Sequence, residues 1–527
     1  MRIASALSLS QFRSPLLLTI GTIVIGALGA YEAARFVITD DFTGMAYAGM
    51  ALVGGAIFIR ILNNWRKGLY FFLSWLLFED FARKFLGNNM AIFFAKDLLV
   101  LILYIAFLAA FRRKEVQGFR PPFLVPLLIF IWFGVIQMFN PGSTSVWYGL
   151  MGLKMYFYYV PLLFLGYALI NSETQLRDFF RLNVLLSLII ISLGIAQSIL
   201  GPSFLNPAHL AEELRPLSTL YRGSQEGGLA YRPTSVFVGA GRYGNFTIVA
   251  WLLVLGFSGY LLLRLKRGRL LTFVAIAVTA TGGFLTTSRG VFMWAMINVL
   301  ATSVAFIWGA PWKQGEALRV FRGIQRALLA IGLGIVLLFT AFPDALSSRL
   351  AIYEDTLLPS SPTSELTYRS WDYPVRNFLG AFSYDRWPYG YGIGTSGLGS
   401  QYVTRIFKVK PPGAGVESGF GALIVEMGIG GLVLWLVMSL AITISAWRIV
   451  KKLKGSPLFP LGFVIFWYAL FLLFPATFGG IMAYEDYLLN AYFWLLLGIL
   501  FRLPSIELSA QVAATASVAQ SQRGWIR

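Results

Sequence analysis

Apolar runs close to the ~20 residues that a helix needs to cross a bilayer recur almost from one end of this chain to the other, and no water-soluble core can hold so many. They lie near 15–38, 43–62, 69–86, 91–111, 122–139, 147–170, 178–200, 243–263, 270–287, 290–309, 326–342, 418–447, 458–475 and 481–502. In the third, Glu79, Asp80, Arg83 and Lys84 shorten the apolar part. Of the 527 residues 57% are hydrophobic and 13% charged, against roughly 25% charged in soluble domains. The connections leave no room for a separate soluble domain of ordinary size. The expected fold class is therefore all-α and polytopic, with about fourteen (12–14) transmembrane helices. Arg2 and Arg13 precede the first run, which reads as a retained signal anchor rather than a cleaved leader.

Short loops set the orientation, because cytoplasmic connections accumulate Lys and Arg. With the N-terminus inside, the inner connections carry Arg60-Arg66-Lys67, Arg112-Arg113-Lys114, Arg264-Lys266-Arg267-Arg269, Arg319-Arg322-Arg326 and Arg448-Lys451-Lys452-Lys454. The outer ones carry Asp40-Asp41, a neutral stretch at 141–145, and Glu485-Asp486. Both termini are then cytoplasmic, and the net charge of +19 is largely this bias. The chain divides into N-terminal helices (1–200), an outer loop (201–242), central helices (243–342), a large outer loop between the eleventh and twelfth helices (343–417), C-terminal helices (418–502) and a tail (503–527) whose Ala, Ser and Gln predict disorder.

The two outer loops break the charge rule. The first holds Arg215, Arg222, Arg232 and Arg242 and no Lys; the second holds Arg349, Arg369, Arg376, Arg386, Arg405, Lys408 and Lys410. One reading is a solvated basic surface. The sharper one is a pocket for an anionic substrate, since the planar guanidinium grips phosphate bidentately. Arg289, in the short Thr286-Thr-Ser-Arg-Gly290 connection, falls at the outer membrane boundary, where a charge is costly unless it is paired or faces a polar cavity. Glu417 stands where the dipole of the twelfth helix favours a carboxylate: Glu417 or Ser418 is a cap, or Glu417 takes the proton from an attacking hydroxyl. Glu426 lies deeper and needs a polar partner. Gly392, Gly394 and Gly397 have the spacing of a dinucleotide fingerprint, but no βαβ context surrounds them. They read instead as a tight turn started by Pro388. With no Cys and only His209, a zinc site is not expected, and Glu354-Asp355 has no ligand loop around it.

Several segments resemble the O-antigen ligase and polymerase superfamily of bacterial inner-membrane glycosyltransferases. Thr287-Ser-Arg-Gly290 is similar to the family's Ser-Arg-Gly helix opening. Tyr368-Arg-Ser-Trp371 followed by Trp387-Pro-Tyr-Gly-Tyr-Gly-Ile-Gly394 is similar to its Arg-then-Pro-x-Gly-x-Gly-x-Gly segment, Arg232-Pro-Thr-Ser-Val-Phe237 to its Arg-x-x-Gly-x-Phe segment, and Phe94-Ala-Lys-Asp-Leu98 fits more loosely. Glu417-Ser418, nine residues and Gly428-Ile-Gly-Gly431 follow the ligase pattern H-[NSQ]-x9-G-x-x-G in every place but the His.

The resemblance covers roughly 230–435. It implies a GT-C-like helical fold, an undecaprenyl-diphosphate-linked oligosaccharide donor, no metal and no other cofactor. Glu417 in place of the ligase His implies a polymerase of surface polysaccharide or exopolysaccharide rather than a ligase. On this reading Arg289, Arg232 and Arg369, with Arg242 and Arg376 behind them, neutralise the departing diphosphate, and Glu417 is base or acceptor-positioning residue. The expected partners are the lipid-linked oligosaccharide, the bilayer, a chain-length regulator and a flippase, with no nucleic acid. The rivals are an O-antigen ligase and, from another class, a flippase for lipid-linked sugars.

Overall fold

In the computed structural model, residues 54–86, 90–207, 220–223, 229–265, 269–311, 343–357, 368–412, 416–480 and 485–524 are described, with isolated positions between 329 and 340. The run at 15–38, most of those at 43–62 and 326–342, and the loop positions His209 and Arg215 lie outside them.

The described chain is mostly helical. Its helices are α1 (Gly54–Asn63), α2 (Trp65–Phe85), α3 (Met90–Arg112), α4 (Leu124–Gln137), α5 (Val146–Phe157), α6 (Leu162–Leu169), α7 (Glu173–Leu200), α8 (Ala240–Tyr260), α9 (Arg269–Leu285), α10 (Arg289–Gly309), α11 (Pro343–Leu357), α12 (Tyr373–Gly380), α13 (Leu398–Phe407), α14 (Gly419–Lys452), α15 (Phe459–Phe471) and α16 (Tyr487–Gly524). Eight described helical stretches are long and apolar enough to cross a membrane, and Gly54–Asn63, Leu124–Gln137 and Leu270–Leu285 are shorter apolar helices. This is a polytopic membrane protein by length and composition of its helices.

Helix α8 is the centre of the packing: most of its side chains are buried, and it lies against α7, α9, α10 and α15. Small residues let the backbones close up, as expected where apolar burial cannot drive one helix against another. A Cβ on Gly166 would lie 2.1 Å from the Leu495 carbonyl oxygen, and one on Gly498 2.0 Å from that of Leu163. Those two contacts clamp α6 to α16.

Four local features depart from the sequence expectation. The run 147–170 is two helices, α5 and α6, broken just before Pro161, whose ring removes a helix donor. The loop 201–242 contains a two-stranded antiparallel hairpin, β1 (Tyr221–Gly223) and β2 (Leu229–Tyr231), so the chain is not wholly α. The described part of the loop 343–417 is largely helical, with α11, a π-helical turn at Tyr368–Asp372, α12 and α13. The backbone of the tail expected to be disordered continues α16 to Gly524, in keeping with the high helix propensity of its Ala and Gln residues.

Candidate functional site

The site lies wholly in the larger of two packing units, Phe72–Asp97 with Ala109–Arg527. It begins with the hairpin. Tyr221 opposes Tyr231 across the two strands, and the Arg232 amide donates to the Leu220 carbonyl at 2.7 Å. Beyond it the chain turns hard. Ser235 takes φ 50°, and the Gln197 side-chain oxygen accepts the amides of Thr234 and Ser235 at 2.8 and 2.7 Å. Lys84 Nζ donates to the Thr234 hydroxyl at 2.9 Å and the Ser235 carbonyl at 2.6 Å. The backbone that carries Arg232 is thus fixed from two helices.

Around Tyr231 the cations gather. Arg349, 2% exposed, donates from Nη2 to the Tyr231 carbonyl at 3.0 Å, and the Thr287 hydroxyl donates to the same oxygen at 3.3 Å. Thr287 sits at φ 53°, a left-handed conformation that costs a β-branched residue energy and marks a tightly determined turn. Tyr353, one turn on from Arg349 in α11, donates to the Phe284 carbonyl at 2.7 Å and packs its ring against Phe284 and Phe292. The guanidinium groups of Arg349, Arg222 and Arg232 all lie close enough to bear on the Tyr353 phenol, whose pKa burial pushes up. Burial, with the Arg222 charge beside it, holds Arg232 below the usual arginine range; burial does the same for Arg349. Two residues after Thr287, Arg289 opens α10 with its side chain 8% exposed, and Ser288 caps the helix. Thr287, two residues before Arg289, and Arg349 thus both donate to the carbonyl of Tyr231, the residue before Arg232. Convergent guanidinium groups beside a helix N-terminus favour an anion.

Arg242 belongs elsewhere. Its Nη1 donates to Asp80 at 2.8 Å and to the Tyr487 hydroxyl at 2.7 Å, while Arg83 reaches Asp80 at 3.1 Å and the Val238 amide donates to it at 3.3 Å. Beside them Glu79 pairs with Lys96 at 3.1 Å and Asp97 with Lys154 at 2.5 Å. Lys96 Nζ lies 3.5 Å from the centre of the Phe93 ring and 4.4 Å from that of Tyr487. The charges that appeared only to shorten the third apolar run are the buried face of α2. The sequence signal was present: charges at 79, 80, 83 and 84 share one side of a helix.

The remaining candidates separate. Glu417 is exposed and accepts from the Tyr373 hydroxyl, and the cap of α14 is Ser418, which accepts from the Gly421 amide. Arg376 is exposed on α12. Arg369 falls in the π-helical turn before α12, and its side chain is outside the described residues. The Gly-rich stretch serves the backbone. Inside α14, Gly428 takes φ 68°, ψ −171°, and the opened helix pairs like a strand edge with the loop: the amides of Tyr391 and Gly392 donate to the carbonyls of Val425 and Glu426, both at 2.8 Å. The Glu426 carboxylate accepts from the Tyr156 hydroxyl at 2.9 Å and the Ser396 amide at 3.1 Å, which supplies the polar contact its depth required. At Gly394 φ is 82° and a Cβ would lie 2.2 Å from the Tyr148 carbonyl oxygen, whereas Gly392 has φ 107° against α4. Gly397, with φ −92°, precedes α13, and the Glu485 carboxylate fills the space a Cβ would take. The three glycines hold a loop against a broken helix, the form in which irregular backbone is tolerated at membrane depth.

No family model matches the chain, and no curated protein sequence matches it either.

Proposed function

We propose that the chain is a metal-independent membrane glycosyltransferase, a polymerase of surface polysaccharide or exopolysaccharide repeat units that draws on an undecaprenyl-diphosphate donor at the outer face of a bacterial inner membrane. On this reading it has about fourteen spans in a GT-C-like arrangement, with both termini cytoplasmic. The observation that carries the proposal is that Arg349 and Thr287, the latter two residues before Arg289, both donate to the carbonyl of Tyr231, the residue before Arg232. In the reaction an acceptor hydroxyl oxygen bonds to the anomeric carbon as the bond from that carbon to the lipid diphosphate breaks. The diphosphate leaves with its electron pair, and fixed guanidinium groups in a partly dehydrated site stabilise that charge without reorganising. Glu417 takes the acceptor proton.

Purified protein in nanodiscs with lipid-linked repeat units provides the test. Lengthened glycan on the lipid, with lipid diphosphate released in step, is the expected result. Transfer of a single glycan to a fixed acceptor marks a ligase. Change of sidedness without elongation, in vesicles, marks a flippase and overturns the proposal.

A further inference from the structure

Five aromatic rings, four half-buried and one exposed, form a continuous row between the Gly-rich loop and the start of α14. Trp387 lies 5.4 Å from Phe382, Phe382 lies 5.5 Å from Phe378, Phe378 lies 6.4 Å from Phe478, and Phe478 lies 6.2 Å from Phe420. Adjacent planes are tilted or edge-on, at 59°, 85°, 58° and 43°, so each ring keeps part of its surface for something other than its neighbour. Trp387 is 37% exposed, and the four phenylalanines are intermediate. Four stretches contribute: α12 with its short 3-10 continuation (Ala381–Ser383), the turn that carries Trp387, the end of the segment after α15, and the first turn of α14. Row and rim together are a surface assembled by the fold.

The rim identifies the medium. Asp372, Arg376, Asp385, Arg386 and Glu417 all lie on the same segments and are exposed or intermediate. Acyl chains do not accommodate such a density of charge, which argues that these segments lie outside the hydrocarbon. An aromatic row in water, rimmed by hydrogen-bonding groups, is suited to a ligand with apolar C–H faces and equatorial hydroxyls. We propose that the row is a track for the growing glycan, with successive sugars laid over Trp387, Phe382, Phe378 and Phe478 and the leading end delivered beside Glu417 and Tyr373. The step between rings is of the order of the rise of one sugar in a chain. The track rests on the glycosyltransferase reading and adds to it the subsite for the polymer as distinct from that for the diphosphate.

The test uses full-length protein in nanodiscs and lipid-free oligosaccharide fragments of the producing cell's own surface polysaccharide, read by saturation-transfer NMR. Wild-type protein transfers saturation to the sugar protons. The double variant F382L/F478L, which keeps apolar volume and removes two ring faces, lowers the signal at least fivefold, and F382Y/F478Y restores it. In cells, F382L/F478L shortens the polymer without abolishing it. Equal NMR signal in wild type and the Leu variant, no signal in wild type, or quenching of Trp387 by brominated acyl chains overturns the track. If the fragments bind as expected while the purified protein lengthens no lipid-linked glycan, the track stands and the polymerase reading fails; elongation by the wild type with F382L/F478L of unaltered chain length and NMR signal is the reverse.

Discussion

Two regions concentrate cations on the same segment, 231–242, and they solve the problem of burial differently. At Arg242 the counter-charge is built in: Asp80 is 1% exposed and holds Arg242 and Arg83 together, with Glu79–Lys96 and Asp97–Lys154 pairs alongside. Around Tyr353, like charges crowd instead. Arg222 is a repulsive neighbour of Arg232, and the hydrogen bond seen for Arg349 goes to a neutral carbonyl. An interleaved network is a cross-brace between helices, and breaking it exposes an uncompensated charge. Like charges brought together in a partly dehydrated region raise one another's cost, and an anion lowers it. Arginine in a long connecting segment is therefore not by itself a substrate contact; what surrounds it decides.

The comparison breaks first, and with the largest effect, at Arg349. Arg349→Ala is expected to cut polymer formation at least a hundredfold, the order found when one charge-stabilising donor is removed from a transition state, while the protein still inserts and stays folded in detergent. Arg232→Ala follows with a similar loss, and Arg232→Lys recovers part of it, because an ammonium keeps the charge and loses the fork. Elongation measured on lipid-linked repeat units, beside the thermal midpoint of the same preparations, checks both. Full activity in either Ala variant removes the crowded region from the reaction. At the braced region the sign is opposite. Asp80→Asn should cost about 3–5 kcal/mol of stability, the usual result of leaving one partner of a buried pair, and D80L/R242M should recover much of it. A thermal midpoint unchanged in Asp80→Asn, with elongation lost, would move Arg242 and Asp80 from the frame into the active site.

How much of this was legible depended on whether the information was local. Apolar runs gave the helices, because span length is a property of one segment; Arg289 and Arg232 stood out because short motifs surround them. The break before Pro161 was also local, yet the apolar run continues through it and hides it. The Asp80–Arg242 pair joins residues 162 positions apart, and the convergence of Arg349 on Tyr231 spans 118; no periodicity carries such a distance. Gly428 shows the same limit. Its spacing with Gly431 matched a ligase pattern, whereas its physical duty is a positive φ that opens α14 and lets the Pro388 carbonyl approach to 3.3 Å from the Ile429 amide. Glu426→Gln tests that duty. With Tyr156 and the Ser396 amide both donating to the carboxylate, the amide substitution misplaces one donor in a buried site, and about 1–3 kcal/mol of stability should be lost, read as a fall in thermal midpoint with the loop first to become protease-sensitive.

The smallest expected effect is at Arg376, and it sharpens the comparison from outside both regions. By sequence alone Arg376 ranks with the diphosphate-binding cations, since it lies in the same loop and three residues from Tyr373, the partner of Glu417. It is exposed on α12, where water and salt screen a charge beyond about 8–10 Å. Arg376→Ala should therefore change elongation by no more than about threefold, and raising the salt from low to physiological ionic strength should remove most of that difference. Arg349, which is buried, responds less to salt, because screening ions do not reach a charge enclosed by protein. A hundredfold loss in Arg376→Ala, insensitive to salt, would mean that Arg376 itself holds the diphosphate, and the convergence on Tyr353 would then be part of the scaffold.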